Sequence, residues 1–334
     1  MTSTMKIAVL SFYTGIVERG AETAVSELTK RWRKKHTVRM YTAEKSSFIT
    51  VTHLQQTGPL SLLYFLYSLI VIFSLMKWQP DIVIPVNRGW QGILVRLYCW
   101  MSGARMVVSG QAGYKDRMTM MTRPDGFVAL THRSAAWMRR FSGGMKVAVI
   151  PNGVDLHAFS DNGKKATIPL SRPIVICVAG PEPYKRVALT IDAVAIVKNA
   201  SLLLVGGDEK IALYGKEKLG KRFKRILVPH SQMPELYRSA DIFTLVSEST
   251  EAFGTAMIEA AACGLPVVVP DDELRRELFG GRALYVKDPA NVREYAAVLT
   301  RALDEKTDYS RTWLHHYNWD VIAEKYLDFF MMLQ

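Results

Sequence analysis

The chain has 334 residues, 49% hydrophobic and 22% charged, which is apolar material enough for two cores and, with no repeat or low-complexity stretch, excludes a disordered or fibrous chain. Three isolated cysteines, Cys99, Cys177 and Cys263, exclude a disulfide framework and a cysteine-ligated metal, and fit a reducing compartment. The net charge of +12 lies wholly in residues 1–160, which hold 20 Lys and Arg against 8 Asp and Glu, so that half should meet an acidic partner, nucleic acid or anionic lipid.

Lys6 to Phe12 reads as a first strand, its apolar run being too short for a signal peptide. A loop bearing Gly15 and Gly20 follows, then a helix from about Ala21 to Lys35, the opening of a doubly wound domain. Turn geometry alone is an equal explanation for Gly15 and Gly20. The helix ends in Lys30-Arg31-Trp32-Arg33-Lys34-Lys35. Such a cluster suits an anionic membrane surface with an interfacial tryptophan, or else a solvated helix end complementing its own dipole. A strand is expected at Thr37 to Thr42. Leu60 to Met76 carries no charge over 17 residues, at the lower limit of the roughly 17–25 that a membrane span needs. It reads as a helix with one face on a sheet and surplus apolar surface in a membrane interface, a fully buried core helix being the alternative. Strands follow at Ala104 to Ser109 and Gly126 to Leu130, and a helix from Thr131 to Arg140.

Ser160 to Pro173 is a polar linker, and Pro173 to Ala179 the first strand of a second domain. Next comes Gly180-Pro-Glu-Pro-Tyr-Lys185-Arg186, then a helix through Lys198. A lysine at the carboxyl end of a strand favours function over a plain surface position. Further strands are expected at Leu202 to Val205 and Ile226 to Val228.

The chain's most informative stretch is Glu251-Ala-Phe-Gly-Thr-Ala-Met-Ile-Glu259. The apolar run Leu265 to Val269 reads as a buried parallel strand, entered through Gly264 and Pro266. Gly254 to Cys263 is then the helix before it. Its first turn, with Gly254 and Thr255, offers free N–H groups and the positive dipole end to a phosphate. Glu251 lies just ahead of that turn and Glu259 near the middle of the helix. By spacing alone, two such glutamates also arise by chance.

Leu236-Tyr-Arg-Ser-Ala-Asp-Ile-Phe243, Ser247 and the run Glu251 to Pro266 closely resemble the donor-binding core of retaining GT-B glycosyltransferases of family 4, with Val246 where the family usually has proline. Val149 to Asp155, with Phe159, is similar to the family's inter-domain hinge. The resemblance implies an α/β GT-B fold, two doubly wound Rossmann-like domains facing a cleft. Residues 1–158 would receive the acceptor, with the C-terminal helix 319–334 crossing back, and residues 159–318 would bind the donor. It implies a hexosyltransferase that moves a sugar from a UDP- or GDP-sugar to a hydroxyl with retention. A lipid-linked or cell-envelope glycan such as lipopolysaccharide core is the expected acceptor.

By the same resemblance, Glu251 would meet the donor sugar hydroxyls and Glu259 the ribose hydroxyls. Phe253, Gly254 and Thr255 would shape the phosphate pocket through their backbone. Lys185 and Arg186 would neutralise the leaving diphosphate beside Gly180, Pro181 standing where the family has arginine. Gly20 matches the second glycine of the family's Gly-Gly-Ala-Glu turn, which faces the donor diphosphate; Arg19 replaces the first. The family's histidines after Ile84 and Ser109 are absent, those positions reading Pro85-Val-Asn-Arg88 and Gly110-Gln-Ala-Gly113. The strand expected after Trp78 argues against a span at Leu60 to Met76, since crossing would divide the sheet. Asp-x-Asp and metal-ligand spacings are absent, so metal independence is expected, with no cofactor beyond the nucleotide-sugar co-substrate. The expected partners are that donor, a glycan or lipid-linked acceptor and an anionic membrane surface, with the protein peripheral on the cytoplasmic face. The rival readings are a sugar-nucleotide epimerase or phosphorylase of the same fold, and a basic nucleic-acid-binding module, which lacks any recognition motif.

Overall fold

The structure is a computed structural model. It describes residues 4–16, 20–43, 61–87, 89–111, 121–141, 143–305 and 309–334. Arg19, Leu60, Arg88, Ala112 and Gly113, named above, lie outside these. The chain divides into two compact units, Met1–Gly153 with Trp319–Gln334, and Val154–Asn318.

The first unit alternates strand and helix: β1 (Lys6–Leu10), α1 (Gly20–Trp32), β2 (Thr37–Tyr41), α2 (Leu62–Trp78), β3 (Ile82–Pro85), α3 (Trp90–Ser102), β4 (Arg105–Ser109), β5 (Gly126–Ala129), α4 (His132–Arg139) and β6 (Lys146–Val149). The strands form one parallel sheet in the order β2-β1-β3-β4-β5-β6. Strand β1 is apolar on both sides because both faces of a parallel sheet are covered. Its Ala8 and Leu10 pack with α2, α3 and α4, while Ile7 and Val9 pack with α1 and the last helix of the chain.

That last helix spans Trp319–Leu333 and belongs to the first unit. It approaches the sheet so closely that a Cβ on Gly126 would lie 2.9 Å from the Phe329 ring. It also corrects the reading of Trp32 as an interfacial anchor. Trp32 is buried against the Tyr326 and Phe330 rings, and its indole N–H donates to the Ala323 carbonyl at 3.1 Å. Arg31 pairs with Glu27 and Asp320, and Lys35 with Glu324 at 2.7 Å, while Lys30, Arg33 and Lys34 stay exposed. The cluster therefore caps a helix–helix seam.

Helix α2 has one face on the sheet and one outside, so the fully buried alternative fails. At 17 residues it is about 25 Å long against the roughly 30 Å of a bilayer core. Among the described residues no helix is long and apolar enough to cross a membrane. Because α1 and α2 lie on opposite faces of the sheet, Lys30–Lys35 and the apolar stretch cannot meet one membrane plane side by side.

The second unit contains β7 (Ile174–Ala179), α5 (Val187–Ile196), β8 (Ser201–Gly206), α6 (Glu209–Leu219), β9 (Phe223–Ile226), α7 (Met233–Ser239), β10 (Ile242–Thr244), α8 (Thr255–Ala262), β11 (Val267–Pro270), α9 (Glu273–Phe279), β12 (Leu284–Val286), α10 (Val292–Asp304) and α11 (Arg311–His315). The final helix of the chain is thus α12. The sheet is parallel, in the order β12-β11-β10-β7-β8-β9. Strand β9 lies earlier than the expected Ile226 to Val228. As an edge strand it needs little apolar surface, and Leu227, which made the run look like a strand, is exposed.

Candidate active site

In the second unit β8 and β9 extend to one side of β7, and β10, β11 and β12 to the other. The strand order reverses between β7 and β10. In open α/β sheets, ligands bind outside the carboxyl ends of the strands at such a point. The two loops leaving these strands carry the charged residues of the site.

The loop after β7 ends in a short 3-10 turn, Pro183–Lys185, closed by Arg186 in the left-handed conformation at φ 52°. The Lys185 Nζ lies 2.5 Å from Glu251 Oε2, with both side chains largely buried at 15% and 9% exposure. Burial pulls the lysine pKa down, but the Glu251 carboxylate outweighs it and holds the ammonium above its ordinary value. The pair is therefore an ion pair across 66 residues of sequence. The Tyr184 ring lies 5.0 Å from the ammonium, and the Glu248 N–H donates to the Tyr184 carbonyl at 2.8 Å, joining the loops by backbone as well. Arg186 reaches Glu248 at 3.4 Å rather than Glu251.

Beneath the second loop lies Arg275 of α9, fully buried. Its guanidinium donates to the Asp272 carboxylate at 2.6 Å, to the Ser247 carbonyl at 3.1 Å and to the Ser247 hydroxyl. It fixes the base of the loop that presents Glu251. The sequence reading missed it, because Glu273-Leu-Arg-Arg-Glu looks like a solvated helix face. Arg276 does lie on that face, paired with Asp271 in the open. The available signal was Asp272, an N-cap three residues ahead of an arginine.

Gly254 caps α8 at φ 86°, a left-handed conformation that favours glycine, with the Met257 methyl packed against its open side. The helix start has no side-chain cap. Its first-turn N–H groups and dipole therefore suit an anion beside Lys185. Thr255 opens the helix, and the Phe253 ring is buried with its centroid 6.2 Å from that of Tyr317. Gly180 ends the β7 side, where a Cβ would lie 2.2 Å from the Glu182 carboxylate.

Glu259, buried in α8, forms a separate cluster. One carboxylate oxygen lies 2.7 Å from His230 Nε2, and the other accepts from the Tyr237 hydroxyl at 3.0 Å. Burial, and then the carboxylate itself, raise the Tyr237 pKa well above the ordinary tyrosine value, so the phenol is a constant donor. The Phe159 ring lies 5.3 Å from the His230 ring. The structure thus brings Lys185 and Glu251 together, sets Arg186 beside them through Glu248, and gives Glu259 its own partners. Gly20 lies in the first unit as the start of α1, with open space around its Cβ position. Among the described residues no group of three or more His, Cys, Asp or Glu could hold a metal ion.

A parallel sheet with a charged loop crossing at its switch point is the construction of nucleotide-binding α/β proteins. The sucrose-phosphate synthase of Thermosynechococcus elongatus superposes on 98% of this chain and 99% of its own with a TM-score of 0.77 at 19% identity, so the fold is GT-B. Two sequence families match consecutive stretches of the chain: Glycosyltransferase Family 4 matches residues 19–158 and Glycosyl transferases group 1 matches residues 159–314. The chain belongs to the family 4, group 1 glycosyltransferases. A phosphatidyl-myo-inositol mannosyltransferase of Mycobacterium tuberculosis (strain CDC 1551 / Oshkosh) is 28% identical over 218 residues, 60% of this chain and 57% of that protein. A D-inositol 3-phosphate glycosyltransferase of Segniliparus rotundus is 30% identical over 169 residues, 45% of this chain and 37% of that protein. The match thus spans 57% of the length of the first of these relatives and 37% of the second.

Proposed function

We propose that this protein is a retaining glycosyltransferase that moves a sugar from a nucleotide-sugar donor to a hydroxyl of a lipid-linked acceptor. One observation carries the reading: a buried lysine and glutamate meet at the switch point between β7 and β10, beside the uncapped start of α8. Departure of a nucleoside diphosphate builds negative charge on its outer phosphate. Lys185 and the α8 N–H groups supply fixed positive charge and dipole there, the kind of preorganised stabilisation that is usually the largest catalytic contribution. Arg186 adds a second, more distant cation. Glu251 accepts hydrogen bonds from the donor sugar hydroxyls and holds Lys185 charged. Glu259 accepts from the ribose hydroxyls. A carboxylate has about four acceptor sites, so Tyr237 and His230 orient it without exhausting it.

The second unit would hold the donor and the first the acceptor. A mannosyltransferase named for a phosphatidyl-inositol lipid among the relatives supports a lipid-linked acceptor and makes a mannose-bearing nucleotide the first donor to try. The protein would act as a peripheral protein on the inner face of the cell membrane. The diphosphate is met by cations and helix N–H groups, so turnover should survive EDTA.

A panel of UDP- and GDP-sugars, with lipid extracts as acceptors and diphosphate release as readout, tests the reading. Release with one donor, with the sugar recovered on lipid in the α or β configuration of the donor, is expected. Formation of a sugar 1-phosphate that requires inorganic phosphate would make it a phosphorylase, and a converted nucleotide-sugar with no transfer would make it an epimerase.

A further inference from the structure

We propose that the outer face of the α2–α3 helix layer docks on an anionic lipid bilayer, lying in its interface. For its purpose the proposal rests on the lipid-linked acceptor of the preceding reading, but binding is measured without sugar transfer.

The observation begins with α2, which is apolar all round although only one side is covered. Tyr64, Tyr67, Val71 and Leu75 pack on the sheet. Leu62, Leu66, Ile70, Phe73 and Met76 form a straight stripe on the other side, at spacings of four, four, three and three. Helix α3 lies alongside, its Tyr98 hydroxyl donating to the Leu75 carbonyl at 3.2 Å and its Trp90 ring 5.2 Å from that of Phe65. The outward positions of α3 are also apolar: Ile93, Leu97, Trp100 and Met101. These nine side chains are 40–73% exposed, and they make up nine of the sixteen large apolar side chains that stay exposed among the described residues. Single exposed leucines are ordinary, but a continuous apolar face across two adjoining helices marks an interaction surface.

Charge selects the occupant. Neither helix carries an acidic residue. Lys77 lies in the last turn of α2, and Arg139 and Arg140 are exposed at the end of α4 in the same helix layer, while Arg96, 5.1 Å from the Trp100 ring centroid, is held by Asp125 at 2.8 Å. A second copy of the chain docked here about a two-fold axis would set these cations against one another. An anionic bilayer meets both features, taking the apolar stripe into the acyl boundary and the cations at the headgroups. Helix α2 then lies in the plane of the membrane, which its length allows.

The test is flotation of the full chain with vesicles of phosphatidylcholine alone or with phosphatidylglycerol, at low and high salt. Wild type should float with the anionic vesicles, less so in high salt. Ile70→Glu/Phe73→Glu should cut the bound fraction at least about tenfold while near-UV circular dichroism and donor hydrolysis persist. Lys30→Glu/Lys34→Glu, on the opposite face of the sheet, should float like wild type. A label on Ile70→Cys gives an independent readout, since Cys99, Cys177 and Cys263 are all buried. A polarity-sensitive fluorophore there should shift to the blue when anionic vesicles are added. The proposal is overturned if wild type does not float, if the α2 double variant floats as well as wild type, or if the label is unchanged on floating protein. A dimer dispersed by the α2 variant, with no vesicle binding, would assign the face to a second copy instead. Floating protein that turns over no donor would sink the enzyme reading and leave this one standing.

Discussion

In the second unit the loops at the strand-order reversal carry a lysine and a glutamate locked at 2.5 Å. In the first unit, whose sheet reverses between β1 and β3, the described residues of the corresponding loops are joined by neutral groups. The Ser11 and Thr14 hydroxyls meet at 2.6 Å, and the Phe12 N–H donates to Asn87 at 2.7 Å. The charge excess of +12 lies instead within residues 1–160, with the uncovered apolar face of α2 and α3. The same wiring gives both units a switch point, but the side chains there differ. One unit gathers a buried ion pair, and the other presents a broad apolar surface.

The comparison breaks most easily at α12, the segment that leaves the second unit's sequence and completes the first unit's core. Trp32→Ala removes an indole buried between Tyr326 and Phe330, together with its hydrogen bond to Ala323. The expected cost is about 3–5 kcal/mol, the range for emptying a buried aromatic site. Denaturant unfolding followed in each unit should show the first losing stability and the second keeping its midpoint. A surface tryptophan would cost almost nothing, so a change below about 0.5 kcal/mol would return Trp32 to the exterior.

The second unit is tested at its ion pair. Lys185→Ala should lower kcat at least about a hundredfold, the loss typical for one stabiliser of developing charge. Arg186→Ala should lower it less, since Arg186 lies beside Glu248 and is partly in solvent. Full turnover in Lys185→Ala with loss in Arg186→Ala would exchange their roles.

Much of this second site was legible because its parts are local. Gly254, Gly264 and Pro266 bound α8 and lead into β11 by turn chemistry alone, and the structure starts and stops α8 within one residue of the expected ends. What stayed hidden depends on partners far along the chain. Trp32 looked like a membrane anchor because nothing near it in sequence covers it; the cover lies 291 residues away. Arg275 carries little local sign of burial, because its acceptors include the Ser247 carbonyl, 28 residues back. Helix α3 was not read at all. Its outward stripe of Ile93, Leu97, Trp100 and Met101 is as apolar as its buried one, which erases the contrast that marks an amphipathic helix.

The two carboxylates of the motif sharpen the comparison within the second unit. Glu251 is paired with a lysine ammonium, and Glu259 with a phenol and an imidazole. Glu259→Ala should therefore act on donor binding, raising KM by the equivalent of roughly 1.5–3 kcal/mol for each charge-assisted bond lost, with kcat less affected. An unchanged KM for every donor that turns over would remove Glu259 from the nucleotide site.

The smallest effect expected is that of Tyr237→Phe. The hydroxyl does not reach the Lys185–Glu251 pair; it donates to one oxygen of Glu259 at 3.0 Å and is itself fully buried. Its removal leaves the carboxylate with His230 on the other oxygen, so Glu259 keeps its place in α8 and loses one of two orienting contacts. A net hydrogen bond to a charged acceptor is worth about 1.5–3 kcal/mol, but only the part that orients Glu259 for the ribose appears in KM. A rise in donor KM of roughly three- to tenfold, with kcat within about twofold of wild type, is the expected outcome. A merely structural tyrosine would lower the unfolding midpoint without moving KM at temperatures where the variant is folded. A fall in kcat with KM unchanged would show that the Glu259 cluster acts on the leaving diphosphate after all, and the division of work between the two carboxylates would be wrong.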